Sequence, residues 1–366
     1  MTMINVTKTY LPNVEKYKHY VDRIFASGWV TNNGQVMQEL EQRLKDYLQV
    51  ENLVLVSNGT LALQVAYKLL GITGDVITTP FSFVATTSSL VWEGLNPIFV
   101  DIHPQTLNLD WTKLEDAITE ETSCILPVHV FGNGCHVKKI HNIASKYGLK
   151  VIYDAAHAFG VKFKDKSIFD FGDISVLSFH ATKAFHSIEG GALIFNDNKL
   201  YEKAKLMINF GIDGPDMITE LGINAKMNEF QAAMGLCVLD DIDEITKKRK
   251  SVYKYYLEAL SEIHSLQIPQ PNKLFTSNYN YFPIIFSSER ELLKIKMLFE
   301  QDNIYPRRYF YPSLEKLPYI KGSGNVPIAD DISRRILCLP LFATLTRPEQ
   351  DKIISILVGN LSTDAF

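Results

Sequence analysis

The sequence predicts an α/β protein in which a large domain with a mostly parallel sheet is followed by a smaller α+β domain. Three observations support this prediction. Over the first 225 residues, short apolar runs alternate with helical segments, a pattern typical of parallel strands joined by crossover helices. Beyond Lys226 the pattern changes to one long helical stretch and then to separate strand and helix candidates. The length of 366 residues also exceeds the roughly 250–300 residues over which a single core usually grows.

The first predicted elements follow a short N-terminal arm. Residues 35–48 carry apolar side chains at helical spacing, which predicts an amphipathic helix. The run "NLVLV" at residues 52–56 predicts a buried strand. It leads into Gly59 and Thr60, and a helix with a regular apolar face is predicted from there to Gly71, since glycine is typical of a helix end.

Six further apolar runs predict the remaining strands of the large domain. In chain order they are "DVITT", "PIFVD", "SCILPVHV", "KVIYDAA", "DISVLSF" and "GALIF". Several are separated by helical segments such as residues 137–148. Continuous apolar runs of this length are typical of strands buried on both faces, as in a parallel sheet covered by helices.

The large domain with its arm is predicted to cover residues 1–225, and the second domain residues 226–366. The second domain begins with a long helical stretch, for which an internal break is an open alternative. A strand candidate in "YNYFPIIF" and helix candidates in "ERELLKIKMLFEQD" and "RPEQDKIISILVGNL" follow. The sequence has no repeat and no Pro/Gly/Ser-rich linker between the two, so we expect them to pack closely.

Composition excludes several classes of protein. The formal net charge of -4 offers no broad basic surface for nucleic acid. The N-terminus lacks the pattern of a signal peptide, and no segment holds the ~18 uninterrupted apolar residues of a membrane span, so a cytoplasmic protein is expected. The four cysteines show no CxxC spacing, which argues against both a disulfide framework and a metal site.

Candidate ligand-binding residues lie where predicted strands end, because ligands of an open parallel sheet bind outside the carboxyl ends of its strands. In "SNGT", a glycine and the free amides at a helix start would suit a phosphate, although a simple helix cap is the commoner role. Asp154 leaves the strand in "VIYDAAHAFG", and His157 follows three residues later. Taken singly, an aspartate in this position is more often a helix cap or part of an ion pair, and the histidine is equally a candidate for a core residue.

Lys183 is the most informative residue of the sequence. It lies between the strand candidates "ISVLSF" and "GALIF", five residues after Ser178. Burial disfavours the charged form of lysine, and the neutral amine is a nucleophile toward aldehydes. A helix start, an aspartate, a serine and an enclosed lysine at successive strand ends are the groups that pyridoxal 5'-phosphate requires. We therefore predict this cofactor, with Phe83 as the aromatic residue that covers its ring.

Seven motifs resemble, in order and spacing, those of the DegT/DnrJ/StrS family of nucleotide-sugar aminotransferases. They are "NGTLAL", "TTPFSFVAT", "PVHVFGN", "DAAHAFG", "SFHATKAFHSIEGGAL", "GINAKMNEFQAAMG" and "CLPLF". The resemblance covers nearly the whole chain. It implies an aspartate-aminotransferase type of fold (fold type I) and a homodimer whose active sites lie at the subunit interface.

The resemblance also implies roles for individual residues. Lys183 matches the family's Schiff-base lysine; some relatives carry histidine there and act as dehydratases, so the lysine indicates transamination. Asp154 matches the partner of the cofactor's pyridine nitrogen, and His157 the position, often glutamine, that bonds the ring hydroxyl. Phe83 matches the stacking aromatic residue. The phosphate contacts are matched by Gly59, Thr60, Ser178 and, reaching from the neighbouring subunit, Asn224.

For the substrate, the stretch "SGWVTNNGQVMQELEQRL" is similar to enzymes that aminate carbon 4 of dTDP-4-keto-6-deoxyglucose. The implied product is dTDP-4-amino-4,6-dideoxyglucose, and the implied amino donor is glutamate. Amination at carbon 3 of a dTDP-3-keto-6-deoxyhexose stays open, because the same cofactor site serves both reactions. Trp29 and Thr31 are candidate pocket residues, and Lys226 departs from the arginine found in many relatives.

The segment "NIYPRRYFYPSLEKLPY" holds candidates for binding the nucleotide. Arg307 and Arg308 would suit the diphosphate through bidentate hydrogen bonds, with Arg308 slightly favoured by the resemblance. Tyr309 or Tyr311 would stack on the base. A solvated arginine pair beside a half-buried aromatic strand is an equal alternative. His180, close to the lysine, is a candidate contact to sugar or phosphate, with a structural role equally open.

Two other functional classes are weighed against transamination. Some proteins of this family have been proposed as regulators, so a cofactor-binding chain without turnover is an alternative. The full set of predicted cofactor residues argues against such a regulator, because loss of catalysis usually allows at least one of these residues to be substituted. A nicotinamide-dependent dehydrogenase would carry GxGxxG after its first strand, and this chain does not.

Overall fold

The structure is a computed structural model that describes residues 3–321 and 324–361. Its α-helices, in chain order, are α1 (Val14–Ser27), α2 (Gln35–Leu48), α3 (Gly59–Leu69), α4 (Val84–Trp92), α5 (Val137–Tyr147), α6 (Asn198–Met207), α7 (Glu229–Leu260), α8 (Glu289–Gln301), α9 (Pro327–Arg335) and α10 (Arg347–Asn360). Its strands are β1 (Ile4–Asn5), β2 (Asn52–Val56), β3 (Asp75–Thr78), β4 (Asn96–Phe99), β5 (Thr122–Leu126), β6 (Lys150–Asp154), β7 (Lys162–Phe163), β8 (Lys166–Ser167), β9 (Ile174–Ser178), β10 (Gly191–Phe195), β11 (Leu266–Gln267), β12 (Phe282–Phe286), β13 (Ile304–Tyr305) and β14 (Ile336–Leu339).

The N-terminal part is built on a sheet in which seven strands of the described chain pair in the order β2-β10-β9-β6-β5-β3-β4. The pairs β3–β4, β3–β5, β5–β6 and β6–β9 are parallel, whereas β10 is antiparallel to both of its neighbours. The mostly parallel sheet is therefore confirmed. β10 reverses direction because residues 179–190, which join it to β9, form turns and bends and not the crossover helix that a parallel partner needs.

Helix α7 is continuous from Glu229 to Leu260, so the open alternative of a broken helix is excluded. It begins with a capping box: the Asn228 side chain accepts the backbone N–H of Gln231 at 2.9 Å, and the Gln231 side chain accepts the N–H of Asn228 at 3.1 Å. This exchange satisfies two amides at the helix start.

The two halves of α7 pack against different cores. Leu236 joins a buried cluster with Leu40 of α2, whereas Tyr256 joins a second cluster with Phe282 of β12. The helix thus connects the two parts of the molecule through apolar contacts on both sides. The domain boundary between residues 225 and 226 stays a prediction.

The C-terminal part is an antiparallel sheet of β11, β12 and β14 covered by helices, as the predicted α+β character requires. The N-terminal arm joins it, because β1 pairs in parallel with β13. The predicted strand in "YNYFPIIF" is confirmed as β12, which begins at Phe282. The residues just before it extend toward the site described below.

Two findings concern the described residues as a whole. None of their helices is both long and apolar enough to cross a membrane. Cys124, Cys135, Cys237 and Cys338 are all buried and unpaired.

Candidate active site

A cavity of about 290 Å³ lies at the carboxyl edge of the seven-stranded sheet. The segments that follow β2, β3, β6 and β9 form its walls, and residues just before β12 and after β13 close it from the C-terminal part. The predicted site residues that line it are Gly59, Thr60, Phe83, Asp154, His157, Ser178, His180, Lys183 and Tyr309. These candidate residues therefore meet at one edge of the sheet, as expected from the position of the strand ends.

One end of the cavity is the start of α3. The Asn58 side chain caps this helix by accepting the backbone N–H of Leu61 at 2.9 Å, while the first amides of a helix have no partner within it. A Cβ atom at Gly59 would lie 3.1 Å from Cβ of Ser178, so the helix start approaches the end of β9 closely. Free amides, a helix N-terminus and a serine hydroxyl together suit a phosphate group.

Asp154 forms the floor of the cavity at the end of β6, and it is 6% exposed. Its Oδ2 accepts the hydroxyl of Thr86 at 2.7 Å, and its Oδ1 accepts the backbone N–H of Ala156 at 3.1 Å. Burial raises the pKa of the carboxyl group, while these two hydrogen bonds and the charge of Lys183 act in the opposite direction. A cationic group placed against Asp154 would therefore be strongly bound.

Lys183 lies in the connection between β9 and β10, and its Nζ donates to the hydroxyl of Tyr281 at 3.3 Å. Burial lowers the pKa of Lys183 to about 8, and the charge of Asp154 opposes this shift. A substantial fraction of the amine is neutral near that pH. The lysine can thus act both as a nucleophile and as a base.

His157 is 4% exposed and neutral. Burial lowers its pKa well below the ordinary value, and the charge of Lys183 adds to the effect. Its Nδ1 accepts the backbone N–H of Phe131 at 3.3 Å, which places the ring proton on Nε2. The ring stacks on Phe310 at 5.7 Å between centroids, with an angle of 2° between planes, so its orientation is set from both sides.

This arrangement fits pyridoxal phosphate. The helix start and Ser178 suit its phosphate, and the buried carboxylate of Asp154 suits a protonated ring nitrogen. Lys183, whose lowered pKa makes the neutral amine more accessible, suits its aldehyde. Phe83 lies at the rim with half of its surface exposed, where a ring could cover it. Each of these groups opens onto the same cavity.

The side chains of the neighbouring residues Arg307 and Arg308 point in different directions. Arg307 lines the cavity and its guanidinium lies 5.1 Å from the ring of Tyr309. Arg308 points away: it donates to Glu289 at 2.6 Å and to the carbonyl oxygen of Arg334 at 2.8 Å. Tyr311 packs against Arg308: the guanidinium of Arg308 lies 3.6 Å from the centroid of the Tyr311 ring. Of these four side chains, Arg307 and Tyr309 line the cavity, whereas the slight preference from the sequence was for Arg308.

Three further predicted residues lie outside the cavity of this chain. Trp29 is 53% exposed, and its indole N–H donates to the carbonyl oxygen of Asn32 at 2.6 Å. Thr31 and Asn224 are also exposed. For Asn224 this placement agrees with a side chain expected to reach a neighbouring subunit. Lys226 lies beneath the ring of Phe210, at 4.5 Å from its centroid.

Further side chains, not predicted from the sequence, support these residues. Ser82 and Thr86 form a hydroxyl chain to Asp154, with 2.7 Å between their oxygens; their spacing of four residues at the start of α4 was an available signal. Asn58, beside the predicted Gly59, was an available N-cap. No local pattern pointed to Tyr281, which comes from the C-terminal part of the chain.

Comparison with known proteins identifies the family. Residues 13–358 match the DegT/DnrJ/EryC1/StrS aminotransferase family. A dTDP-4-amino-4,6-dideoxy-D-glucose transaminase of Shigella dysenteriae is 43% identical over 357 residues, covering 96% of this chain and 97% of the relative. An Escherichia coli protein of the same name is 40% identical over 366 residues, covering 98% and 99%.

The solved structures agree with this match. The crystal structure of DesI in the presence of its TDP-sugar product has a TM-score of 0.93 and 29% identity, covering 98% of this chain and 92% of that one. The predicted fold class is thereby confirmed. Because the family match and both relatives span nearly the whole chain, this protein belongs to the DegT/DnrJ/EryC1/StrS aminotransferase family.

Proposed function

We propose that the protein is a pyridoxal-phosphate-dependent transaminase that converts dTDP-4-keto-6-deoxyglucose into dTDP-4-amino-4,6-dideoxyglucose, with glutamate as the amino donor. The observation that carries this proposal is the cavity in which Nζ of Lys183 and the buried carboxylate of Asp154 open onto one space. The names of the Shigella dysenteriae and Escherichia coli relatives support the sugar and the carbon.

Some residues of the site bind the cofactor, and Lys183 transfers protons. When bound, pyridoxal phosphate supplies an electron sink for the electron pair of the donor's α C–H bond. Nζ of Lys183 takes up the α-proton and returns a proton in the following step, which its pKa of about 8 permits near neutral pH. Asp154 holds the positive charge of the ring nitrogen, and the start of α3 with Ser178 holds the phosphate.

The nucleotide end of the substrate is assigned to Arg307 and Tyr309. Arg307 is exposed at the cavity and offers two parallel N–H donors to a diphosphate. Tyr309, beside it, offers a ring face for the base. His180 also lines the cavity, with its Nδ1 2.8 Å from the hydroxyl of Thr182, and a role toward the sugar remains part of the proposal.

A shared active site in a homodimer is the second part of the proposal. Asn224 is exposed, and the segment before it presents apolar side chains to solvent: Ile218 is 74% exposed and Leu221 76%. Such a surface is typical of a protein interface. A second copy of the chain would cover it and bring Asn224 to the partner's phosphate site.

Mixing two inactive variants tests the shared site. Lys183→Ala and Asn224→Ala subunits are purified, shown to have low activity, and then exchanged under mild denaturation. If the sites are shared, half of the dimers are mixed and each has one intact site, so about a quarter of wild-type activity returns. No recovery in dimers that have exchanged subunits would contradict the shared site.

The substrate assignment is tested with two isomeric sugars. The enzyme is incubated with glutamate and either dTDP-4-keto-6-deoxyglucose or its 3-keto isomer, and any aminated sugar is identified by mass spectrometry and NMR. We expect an amine at carbon 4 from the first sugar alone. An amine formed only from the 3-keto isomer would overturn the regiochemistry, and a chain that never aminates its cofactor with glutamate would favour the regulator alternative.

A further inference from the structure

Tyr281 lines the cavity, and the proposed reaction assigns it no role so far. Its hydroxyl lies 3.3 Å from Nζ of Lys183 and accepts its N–H, and its ring lines the same cavity. The ring is held at 5.0 Å from His157, 5.1 Å from Phe131 and 5.7 Å from Tyr309, measured between centroids. These aromatic contacts hold the ring in the position from which its hydroxyl reaches the lysine.

The backbone before Tyr281 is fixed by a buried charge. Arg249 of α7 is 4% exposed, and it donates from Nε to the carbonyl oxygen of Tyr279 at 3.0 Å and from Nη2 to that of Asn280 at 2.6 Å. Within the described residues, its guanidinium donates to these two carbonyls and pairs with no carboxylate. Burying a charge to bind two backbone oxygens is costly, which indicates that the position of this segment matters.

A second anchor ties the same segment to the cofactor side of the cavity. The Asn280 side chain donates to the carbonyl oxygen of His157 at 2.9 Å, and the Asn278 side chain donates to the same oxygen at 2.7 Å. The segment before β12 is therefore bonded both to α7 and to the loop that follows Asp154. Tyr281 is held in place relative to both.

We propose that Tyr281 is a further catalytic residue, which binds Nζ of Lys183 when the lysine is not attached to the cofactor and directs it toward the carbon that exchanges a proton. This inference rests on the proposed transaminase function. Burial raises the pKa of the Tyr281 hydroxyl, so the group stays protonated throughout the working pH range. It can accept from the ammonium form of the lysine and donate to the neutral amine. Arg249 acts through it as a positioning residue.

The experiment compares Tyr281→Phe with the matched control Tyr253→Phe. Tyr253 packs on Tyr279, at 5.4 Å between ring centroids, so the control removes one hydroxyl beside the same segment without touching the lysine. In the full-length, cofactor-free chain, Lys183 is labelled with 1-fluoro-2,4-dinitrobenzene across the pH range and quantified by mass spectrometry. In the loaded enzyme, the half-reaction with glutamate is followed by stopped-flow absorbance.

The hydroxyl binds the ammonium form more strongly than the neutral amine, because hydrogen bonds to charged groups are the stronger ones. Removing the hydroxyl therefore lowers the pKa of the amine. We expect Tyr281→Phe to lower the labelling midpoint of Lys183 by about one unit and to slow the glutamate half-reaction about tenfold or more, while Tyr253→Phe changes neither. An unchanged midpoint in Tyr281→Phe, or an equal change in the control, would overturn the proposal. If the wild type does not react with glutamate, the proposed function fails, and the labelling result still decides whether Tyr281 binds the lysine.

Discussion

Asp154 and Glu229 are both buried carboxylates, yet they bond to different groups. Glu229 is 1% exposed and accepts the backbone N–H groups of Val36 at 3.0 Å and Met37 at 2.9 Å, at the start of α2. Asp154 accepts one backbone N–H and one hydroxyl, and it lies on the wall of a cavity. In Glu229 both oxygens are engaged by one helix start, whereas the negative charge of Asp154 is left for a ligand.

A third buried carboxylate, Asp101, resembles Glu229 and not Asp154. Asp101, 2% exposed, accepts the N–H groups of Ile328 at 3.0 Å and Ala329 at 2.9 Å at the start of α9. A helix N-terminus carries a partial positive charge that stabilises a carboxylate. Glu229 and Asp101 therefore hold the fold together, and Asp154, bound only by neutral groups and near Lys183, is placed for chemistry.

The strongest test of this comparison is Asp154→Asn, which removes the charge and keeps the shape. We expect kcat to fall at least a hundredfold, because the amide cannot hold a protonated ring nitrogen. The free energy of unfolding of the cofactor-free protein should not fall at neutral pH, since burial raises the pKa of this carboxyl and its ionised form costs stability there. Steady-state kinetics and urea denaturation measure the two effects.

Glu229→Gln should show the opposite behaviour. One amide hydrogen would face a backbone N–H, leaving a buried donor at the start of α2 without an acceptor, so the free energy of unfolding should fall by about 2–3 kcal/mol. Turnover per folded enzyme should remain near that of the wild type. A large loss of kcat without a loss of stability would break the division between structural and chemical carboxylates.

Lys183→Met tests the same comparison by removing the buried cation near Asp154. The pKa of Lys183 is lowered from 10.5 to about 8, so between these values the unfolded chain binds a proton that the folded chain does not, and wild-type stability rises with pH. The cofactor-free variant should be more stable than the wild type by about 3 kcal/mol at pH 7, with the difference shrinking from pH 8 to 10.5. The exposed Lys166→Met serves as control, and a difference independent of pH would contradict the assignment.

The smallest expected effect separates the two adjacent arginines. Arg307→Lys should raise KM for the nucleotide sugar about tenfold, because lysine cannot make two parallel hydrogen bonds to a diphosphate. Arg308→Lys should leave KM within about twofold, because its partners are Glu289 and the carbonyl oxygen of Arg334. If the two variants exchanged these results, the nucleotide would lie on the other side of the segment.

Much of the fold and of the cofactor site could be predicted from the sequence because the signals are local. The apolar period of residues 35–48 and the run at 52–56 define α2 and β2. Asp154 and Lys183 are predictable because Asp154 ends one buried strand and Lys183 lies in the connection that follows another, and parallel strands end at one edge. These inferences need no knowledge of distant contacts.

What the sequence determined by itself is therefore the α/β architecture and the edge at which Asp154 and Lys183 meet. Only the tertiary structure decided which of two adjacent arginines faces the cavity: Arg307 pairs with Cys338 in a β-bridge, and consecutive residues of an extended segment point to opposite sides. It also decided that Tyr281 reaches Lys183 across 98 positions of the chain. Contacts of this kind depend on how separate elements pack, and no local spacing records them.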